Sequence, residues 1–225
     1  MKKIAILVQG PSDNVTEVKK AFNNSPDLIF STWKGYEDKY NLTDTVVYSD
    51  DPTVQGHRSL ILQQTTTYNG LLKAKELNYT HVLKIRSDLI PTNYNNFLSI
   101  IDNDKLNFLS WHYHEVYPNC PGYFVDYLMS GPIDEMLLLW NIKEFNWCIV
   151  SEVFLTWQYI TQLKTKIDIN FFLNDLTAEN NLYWIKKNIH LISYKQTLVD
   201  PYKKYTFGHL TENYLTLSYR NFLNK

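Results

Sequence analysis

Short apolar runs that end in small or polar residues alternate along this chain with longer segments of helical period. The first run, Ile4-Ala5-Ile6-Leu7-Val8, is closed by Gln9-Gly10-Pro11. Because such alternation is typical of parallel strands joined by crossover helices, it predicts an α/β fold with a mixed, mostly parallel sheet flanked by helices. The predicted strands are 4–8, 28–33, 45–50, 81–89, 106–111 and 123–129, and the predicted helices are 16–22, 58–77, 93–101, a helix that Ser130-Gly131-Pro132 caps and opens, and 151–163.

Length and composition narrow the class of protein further. A chain of 225 residues fits one α/β domain, and its 17 Tyr, 11 Phe and 6 Trp supply more aromatic surface than a disordered chain would carry. The balance of 22 basic and 23 acidic residues gives a net charge of -1, which argues against nucleic acid as a partner. We therefore expect a single globular domain that binds something other than nucleic acid.

The chain carries few signals for a membrane or an oxidising compartment. No stretch approaches the roughly 20 apolar residues of a membrane-spanning helix. Cys120 and Cys148 form neither a disulfide framework nor a thiolate-rich zinc motif. We expect a cytoplasmic location, although a lipid-linked ligand would still bring the chain to a membrane surface. The oligomeric state is left open.

A doubly wound sheet binds its ligand at the carboxyl ends of its strands, so polar residues at strand ends are the first candidates. The common phosphate loops GxxxxGK and GxGxxG are missing from the sequence, as is the nucleophile elbow GxSxG. Trp33 fits either a ligand contact or the core, and Asp50 fits either a ligand contact or a solvated turn. The strand-end candidates are Gln9, Gly10, Thr32, Trp33, Asp50, Asp51, Arg86 and Asp88.

The fourth predicted strand ends in Ile85-Arg86-Ser87-Asp88. Residues two apart on a strand share one face, so Arg86 and Asp88 lie together while Leu83 and Ile85 point to the other face. A carboxylate at this position suits a divalent cation that holds the oxygens of a nucleoside diphosphate. An ion pair at the end of the sheet explains the same spacing equally well.

Four short motifs give the chain a family resemblance. The segments IAILVQGP, STWKG, QQTTTYNGLLKA and VLKIRSDL, all within about the first 90 residues, resemble the WavE-type lipopolysaccharide synthesis proteins. Those proteins are similar in layout to GT-A nucleotide-sugar glycosyltransferases. The resemblance implies one GT-A-like domain over 1–225, with a nucleotide-sugar-binding half at 1–111 and an acceptor-binding half at 112–225. It also implies transfer of a sugar, from a UDP-sugar by first choice, to a glycan or glycolipid acceptor.

The resemblance further implies roles for the strand-end residues. A DxD-like motif that binds Mn2+ or Mg2+ with the donor diphosphate would here be Arg86-Ser87-Asp88, so Asp88 is the predicted metal ligand and Arg86 replaces the first carboxylate. Gln9 and Gly10 resemble the nucleotide-facing first loop. The remaining implied donor contacts are Thr32 and Trp33 beside the base, Asp50 at the base or ribose, His209 as a further metal ligand, and Lys203 and Lys204 at the leaving diphosphate.

Glycosyl transfer with inversion needs a base for the acceptor hydroxyl. Glu152, in the first turn of a predicted helix, is the candidate base, and Asp134 and Glu135 compete with it. Acidic residues are also favoured in a first helical turn by the helix dipole alone. An acceptor groove could be lined by the aromatic residues Trp111, Tyr113, Tyr117, Tyr123, Tyr127 and Trp157.

Two other functions stay open. The missing first carboxylate fits a sugar- or nucleotide-binding protein without catalysis. His112 and His114 alternate on a strand end beside Glu115, which fits a metal-dependent hydrolase with zinc. The literal DxD at Asp102-Asn103-Asp104 is interpreted as a turn, because Asp and Asn favour turns.

Overall fold

The computed structural model describes residues 2–11, 14–52, 60–88, 90–91, 94–110, 126, 128–142, 151–166, 187–193 and 201–202. The strands in this part of the chain are β1 Ile4–Gln9, β2 Leu28–Trp33, β3 Thr45–Ser49, β4 His81–Arg86, β5 Ile90–Pro91, β6 Leu106–Ser110, β7 Leu128–Pro132, β8 Ile189–Ser193 and β9 Pro201–Tyr202. The α-helices are α1 Val15–Ala21, α2 Leu60–Glu76, α3 Tyr94–Ser99, α4 Ile133–Trp140 and α5 Ser151–Lys166.

Seven strands form one sheet in the order β3-β2-β1-β4-β7-β6-β8. β7 pairs antiparallel with both of its neighbours, and the other pairs are parallel. The predicted α/β class, with a mixed, mostly parallel sheet flanked by helices, is confirmed. β7 and β8 come from the second half of the chain and join strands of the first half, so the two predicted halves share this sheet. β5 and β9 form a separate antiparallel pair.

The sheet has an apolar layer on each face. Ala5 and Leu7 of β1 pack into a cluster with residues of α2, α4 and α5, whereas Ile6 and Val8 pack into a second cluster with residues of α1 and α3. Burial on both faces explains why β1 reads as a continuous apolar run. Because neighbouring side chains alternate between the two layers, β1 presents one set of residues to the α2 side of the sheet and another to the α1 side.

The helix that was predicted to be capped by Ser130, with Pro132 in its first turn, begins only at Ile133. The residues Ser130-Gly131-Pro132 are the end of β7, and α4 starts without a side-chain cap. The reason is tertiary: Gly131 pairs with Val82 of β4 and lies so close to β6 that an added Cβ would stand 2.8 Å from Leu106 Cδ2. The prediction that Ser130 caps the helix is therefore wrong.

One further boundary differs from the predictions, and one strand was not predicted. β4 ends at Arg86, so Ser87 and Asp88 lie in a turn and not on the strand. The segment Ile189–Ser193, which the sequence pattern did not indicate, forms β8 beside β6. The turn predicted at Asp102-Asn103-Asp104 is present, since the Asp104 amide donates to Asp102 Oδ1 at 3.0 Å.

In the part of the chain that the structure describes, no helix is both long and apolar enough to cross a membrane.

Candidate functional site

The carboxyl ends of β1 and β4 meet where the chain order of the sheet reverses. β2 and β3 follow β1 on one side, and β4 lies against its other side. The parallel register pairs Gln9, the last residue of β1, with Arg86, the last residue of β4. Open α/β sheets bind ligands at such a reversal point, because the crossover connections diverge there and leave a crevice. The candidate site is therefore built around Gln9 and Arg86.

Arg86 and Asp88 form a bidentate ion pair at this edge. Arg86 Nε donates to Asp88 Oδ1 at 2.8 Å, and Arg86 Nη2 donates to Asp88 Oδ2 at 2.7 Å. The two side chains keep 29% and 37% of their surface exposed. The ion pair that the spacing allowed is thus present, although it joins a strand end to a turn. Both carboxylate oxygens of Asp88 are engaged by one guanidinium group.

Gln9 is a buried carboxamide with one end unsatisfied. Its Nε2 donates to Thr66 Oγ1 at 3.0 Å, and Thr66 Oγ1 donates its proton to the Leu62 carbonyl at 2.9 Å. The Thr66 hydroxyl donates its only proton to the Leu62 carbonyl, so it can only accept a hydrogen bond from Gln9. The Gln9 amide is therefore oriented with its nitrogen towards Thr66. Gln9 Oε1 is buried without a hydrogen-bond partner among the described residues.

A buried polar layer extends from Gln9 along the sheet-facing side of α2. Gln63 Oε1 and Thr67 Oγ1 also lack partners within the described part of the chain. Ser31 on β2 donates to the Thr66 carbonyl at 2.6 Å. A buried acceptor left without a donor costs about 1–3 kcal/mol, so Gln9 Oε1 at the end of β1 is a position that a polar ligand or water can satisfy.

The turn after β1 brings its backbone close to the turn after β4. Gly10 has φ 125°, and a Cβ there would stand 2.7 Å from Ser87 Oγ. The Ser87 amide donates to the Gln9 carbonyl at 2.8 Å, and Asn14 Nδ2 at the start of α1 donates to the Ser87 carbonyl at 3.2 Å. The backbone angle favours glycine at position 10, and the missing Cβ leaves room for Ser87 Oγ, while the predicted approach of this loop to a nucleotide stays a prediction.

A second cation, Lys84, lies below Arg86 on the same face of β4. Its side chain is fully buried, donates to the Asp126 carbonyl oxygen, and stands 3.5 Å from Asp126 Oδ2 and 4.9 Å from the centre of the Trp140 ring. Burial lowers the pKa of Lys84 from 10.5 to about 8, and the Asp126 carboxylate opposes that shift. The edge thus combines two cationic side chains with two carboxylates.

The other strand-end candidates lie farther out along β2 and β3. Thr32 is buried and Trp33 is half-buried at the end of β2. Asp50 follows β3 and is exposed, with its Oδ1 2.6 Å from Lys34 Nζ. Asp50 is thus solvated and paired with Lys34 just after β3. Its predicted contact with a base or ribose stays a prediction.

Asp134 and Glu135 are not brought to this edge. They open α4, which follows Pro132, and Pro132 pairs with His81 at the opposite end of β4 from Arg86. Asp134 forms an exposed ion pair with Lys75 at 2.7 Å, and Glu135 accepts a hydrogen bond from Tyr159 at 2.8 Å. Both carboxylates therefore join helices at the far end of the sheet.

Several predicted site residues lie outside the described residues. These are His112, His114, Glu115, Lys203, Lys204 and His209, together with the aromatic candidates Trp111, Tyr113, Tyr117, Tyr123 and Tyr127. Glu152 is the second residue of α5 and Trp157 lies in the same helix, but their side chains are not among those described. Their predicted roles stay predictions.

The described residues do not form a ready site for Mn2+ or Mg2+. Among them no group of three or more His, Cys, Asp or Glu side chains could hold a metal ion. Asp88, the predicted ligand, has both oxygens within 2.8 Å of guanidinium nitrogens of Arg86. A metal ion at Asp88 would have to displace the guanidinium group of Arg86, so Asp88 as placed here does not fit the predicted metal; His209, the other predicted ligand, lies outside the described residues.

Sequence reasoning missed Lys84 and Thr66. A lysine within the apolar run Val82-Leu83-Lys84-Ile85 does signal a buried or paired cation, because a strand of this kind is covered on both faces. Its partner Asp126 is 42 residues away, and no local pattern indicates it. Thr66 gave no such signal, since one threonine in Thr65-Thr66-Thr67 looks like its neighbours.

Comparisons with known proteins leave the function to be inferred from the site. No family model matches the chain, and no curated protein matches it. A solved structure of 4-diphosphocytidyl-2C-methyl-D-erythritol synthase from Anaerococcus prevotii is similar, with 12% identity and a TM-score of 0.40 over 100% of this chain and 99% of that chain. Values this low do not establish a shared activity.

Proposed function

We propose that this protein is a glycosyltransferase that moves a sugar from a nucleoside diphosphate donor, a UDP-sugar by first choice, to a glycan or glycolipid acceptor. The observation that carries the proposal is the pairing of Gln9 with Arg86 at the reversal point of the sheet. This pairing sets Gln9 and Arg86 side by side at the strand ends, where Arg86 carries a guanidinium group and the buried Gln9 Oε1 lacks a partner among the described residues. The Arg86 guanidinium suits the charge of a diphosphate. An N–H or O–H group of the same ligand can donate to Gln9 Oε1.

The resemblance of VLKIRSDL and IAILVQGP to WavE-type proteins supports a sugar nucleotide as the ligand. During transfer the acceptor oxygen forms a bond to the anomeric carbon while the bond from that carbon to the diphosphate breaks. The acceptor proton passes to a base, for which Glu152 is the candidate, and the electron pair leaves on the nucleoside diphosphate. Arg86 offsets the charge that develops on the leaving group. A cytoplasmic location, where such donors would be available, belongs to the same proposal.

Calorimetry with UDP, GDP, dTDP and their sugars, in Mn2+ and separately in EDTA, tests donor binding. We expect at least one of these nucleotides to bind the wild type, and Gln9→Met to weaken that binding about tenfold through the loss of one hydrogen bond. Gln64→Met is the matched control, because Gln64 Nε2 donates to the Trp140 carbonyl at 3.1 Å, on the α4 side of the same helix. Absence of binding by every nucleotide would overturn the proposal.

A binding protein without catalysis is the second candidate, because Arg86 stands where a DxD-like motif would have its first carboxylate and engages both oxygens of Asp88. The two functions differ in donor consumption. A glycosyltransferase releases nucleoside diphosphate when a suitable acceptor is added, whereas a binding protein retains the intact donor. Release of nucleoside diphosphate measured across an acceptor panel distinguishes them.

A further inference from the structure

We propose that Asp88 occupies the position on Arg86 that a phosphate group would take, and that the donor diphosphate displaces it and binds Arg86 directly without a divalent metal. This inference rests on the proposed function, since it specifies how the same site holds a nucleoside diphosphate. It departs from the expected role of Asp88 as a metal ligand. The Asp88 carboxylate instead binds Arg86 reversibly and competes with the ligand for it.

The geometry of the pair supports an exchange. Arg86 presents its Nε and Nη2 atoms as a fork, and both oxygens of Asp88 fit it at 2.8 and 2.7 Å. A phosphate group offers two oxygens with similar spacing and more negative charge than a carboxylate. The face of Arg86 that holds Asp88 is therefore also the face that suits a diphosphate.

The position of the pair allows it to open. The side chains are 29% and 37% exposed, so water reaches both partners and can solvate them when the pair opens. Asp88 lies in the turn after β4 rather than on the strand, so its side chain can turn towards solvent while Arg86 keeps its strand register with Gln9. Release of Asp88 thus does not require the sheet to rearrange.

The charges around the pair also favour an anion over a cation. Lys84 lies two residues before Arg86 on the same strand face and is fully buried. Its carboxylate partner Asp126 is held by that contact, 3.5 Å from Lys84 Nζ. A divalent cation at Asp88 would lie against Arg86, whereas a diphosphate there is attracted by Arg86, and the charge of Lys84 is already balanced by Asp126. The leaving diphosphate would then be neutralised by the protein itself.

Calorimetry of the full chain against UDP, GDP and dTDP in EDTA tests this inference through variants with opposite expected signs. We expect Asp88→Asn to tighten nucleotide binding about two- to fivefold by removing a competitor for Arg86. We expect Arg86→Gln to weaken it about ten- to hundredfold by removing charge-assisted hydrogen bonds. Asp102→Asn is the matched control, because Asp102 pairs with Lys105 at similar exposure, 36% and 34%, and we expect unchanged affinity.

The outcomes separate the inference from the proposed function. Binding that needs Mn2+ and disappears in Asp88→Asn would overturn the inference and leave the proposed function standing. Equal or weaker binding by Asp88→Asn in EDTA, with Asp102→Asn unchanged, would also overturn the inference. If the wild type binds no nucleotide in either Mn2+ or EDTA, both fail. A thermal melt of each variant confirms that the measured protein is folded.

Discussion

The ammonium group of Lys84 and the carboxylate of Asp126 form a buried ion pair across the β4–β7 boundary, with Nζ 3.5 Å from Oδ2 and both side chains at most 5% exposed. Lys84 also donates to the main-chain carbonyl of Asp126. Asp126 lies just before β7, at the end of β4 that carries Arg86. The pair therefore fixes the chain that enters β7 against the candidate site.

We expect Lys84→Met to destabilise the fold by about 3–5 kcal/mol, because it leaves the Asp126 carboxylate buried without its cation. The double variant Lys84→Met with Asp126→Asn removes both charges, so its loss should be smaller than that of Lys84→Met alone. Urea unfolding of the wild type, both single variants and the double variant measures the coupling. Additive losses would contradict a buried ion pair.

The same pair predicts a pH dependence on the alkaline side. Burial lowers the pKa of Lys84 to about 8 in the folded protein from 10.5. Between these values the unfolded chain binds more protons than the folded one, so the contribution of Lys84 to the free energy of unfolding rises with pH. We expect the free energy of unfolding of the wild type to rise relative to that of Lys84→Met between pH 8 and pH 10, by at most about 1.4 kcal/mol per pH unit. A stability difference independent of pH in this range would refute the lowered pKa.

Replacement of Gly10 tests the contact between the two turns of the site. Gly10→Ala forces a side chain onto φ 125° and places its Cβ 2.7 Å from Ser87 Oγ, whereas Gly35→Ala meets φ 94° with nothing within 4 Å. Both variants carry backbone strain of about 1–3 kcal/mol. Only Gly10→Ala adds the close contact with Ser87, so it should lose more stability than Gly35→Ala. Adding Ser87→Gly to Gly10→Ala should recover part of the difference. Thermal unfolding checks this order, and equal losses would mean that the contact is unimportant.

Asp50 offers a test of nucleotide contact that is separate from folding. Its ion pair with Lys34 is exposed, with 85% of the Asp50 side chain in solvent, so Asp50→Asn should change stability by less than about 0.5 kcal/mol. If Asp50 contacts the base or ribose, the same change should weaken nucleotide binding about tenfold. Asp38→Asn, which removes another exposed pair with Lys39, serves as the control. Equal nucleotide affinity in both variants would exclude Asp50 from the site.

The parts of the fold that the sequence predicted well are those set by local pattern. β2 was predicted with its observed ends, and β1, β3 and β6 to within one residue, because buried strands in a parallel sheet are continuous apolar runs. β8 was not predicted, since Ile189–Ser193 contains a histidine and a serine and becomes a strand by pairing with β6. Ser130-Gly131-Pro132 has the composition of a helix start, but pairing with β4 keeps it in β7.

The sequence by itself determined the α/β class and the strand ends at which polar residues gather, because both depend on periodicity over a few neighbouring positions. Only the tertiary structure decided which of those residues meet. Strand order places Gln9 beside Arg86 and sends Asp134 to the opposite end of the sheet. The bond between Lys84 and Asp126 joins positions 42 residues apart. Contacts of that kind arise from the pairing of strands distant in the chain, which no local pattern of side chains records.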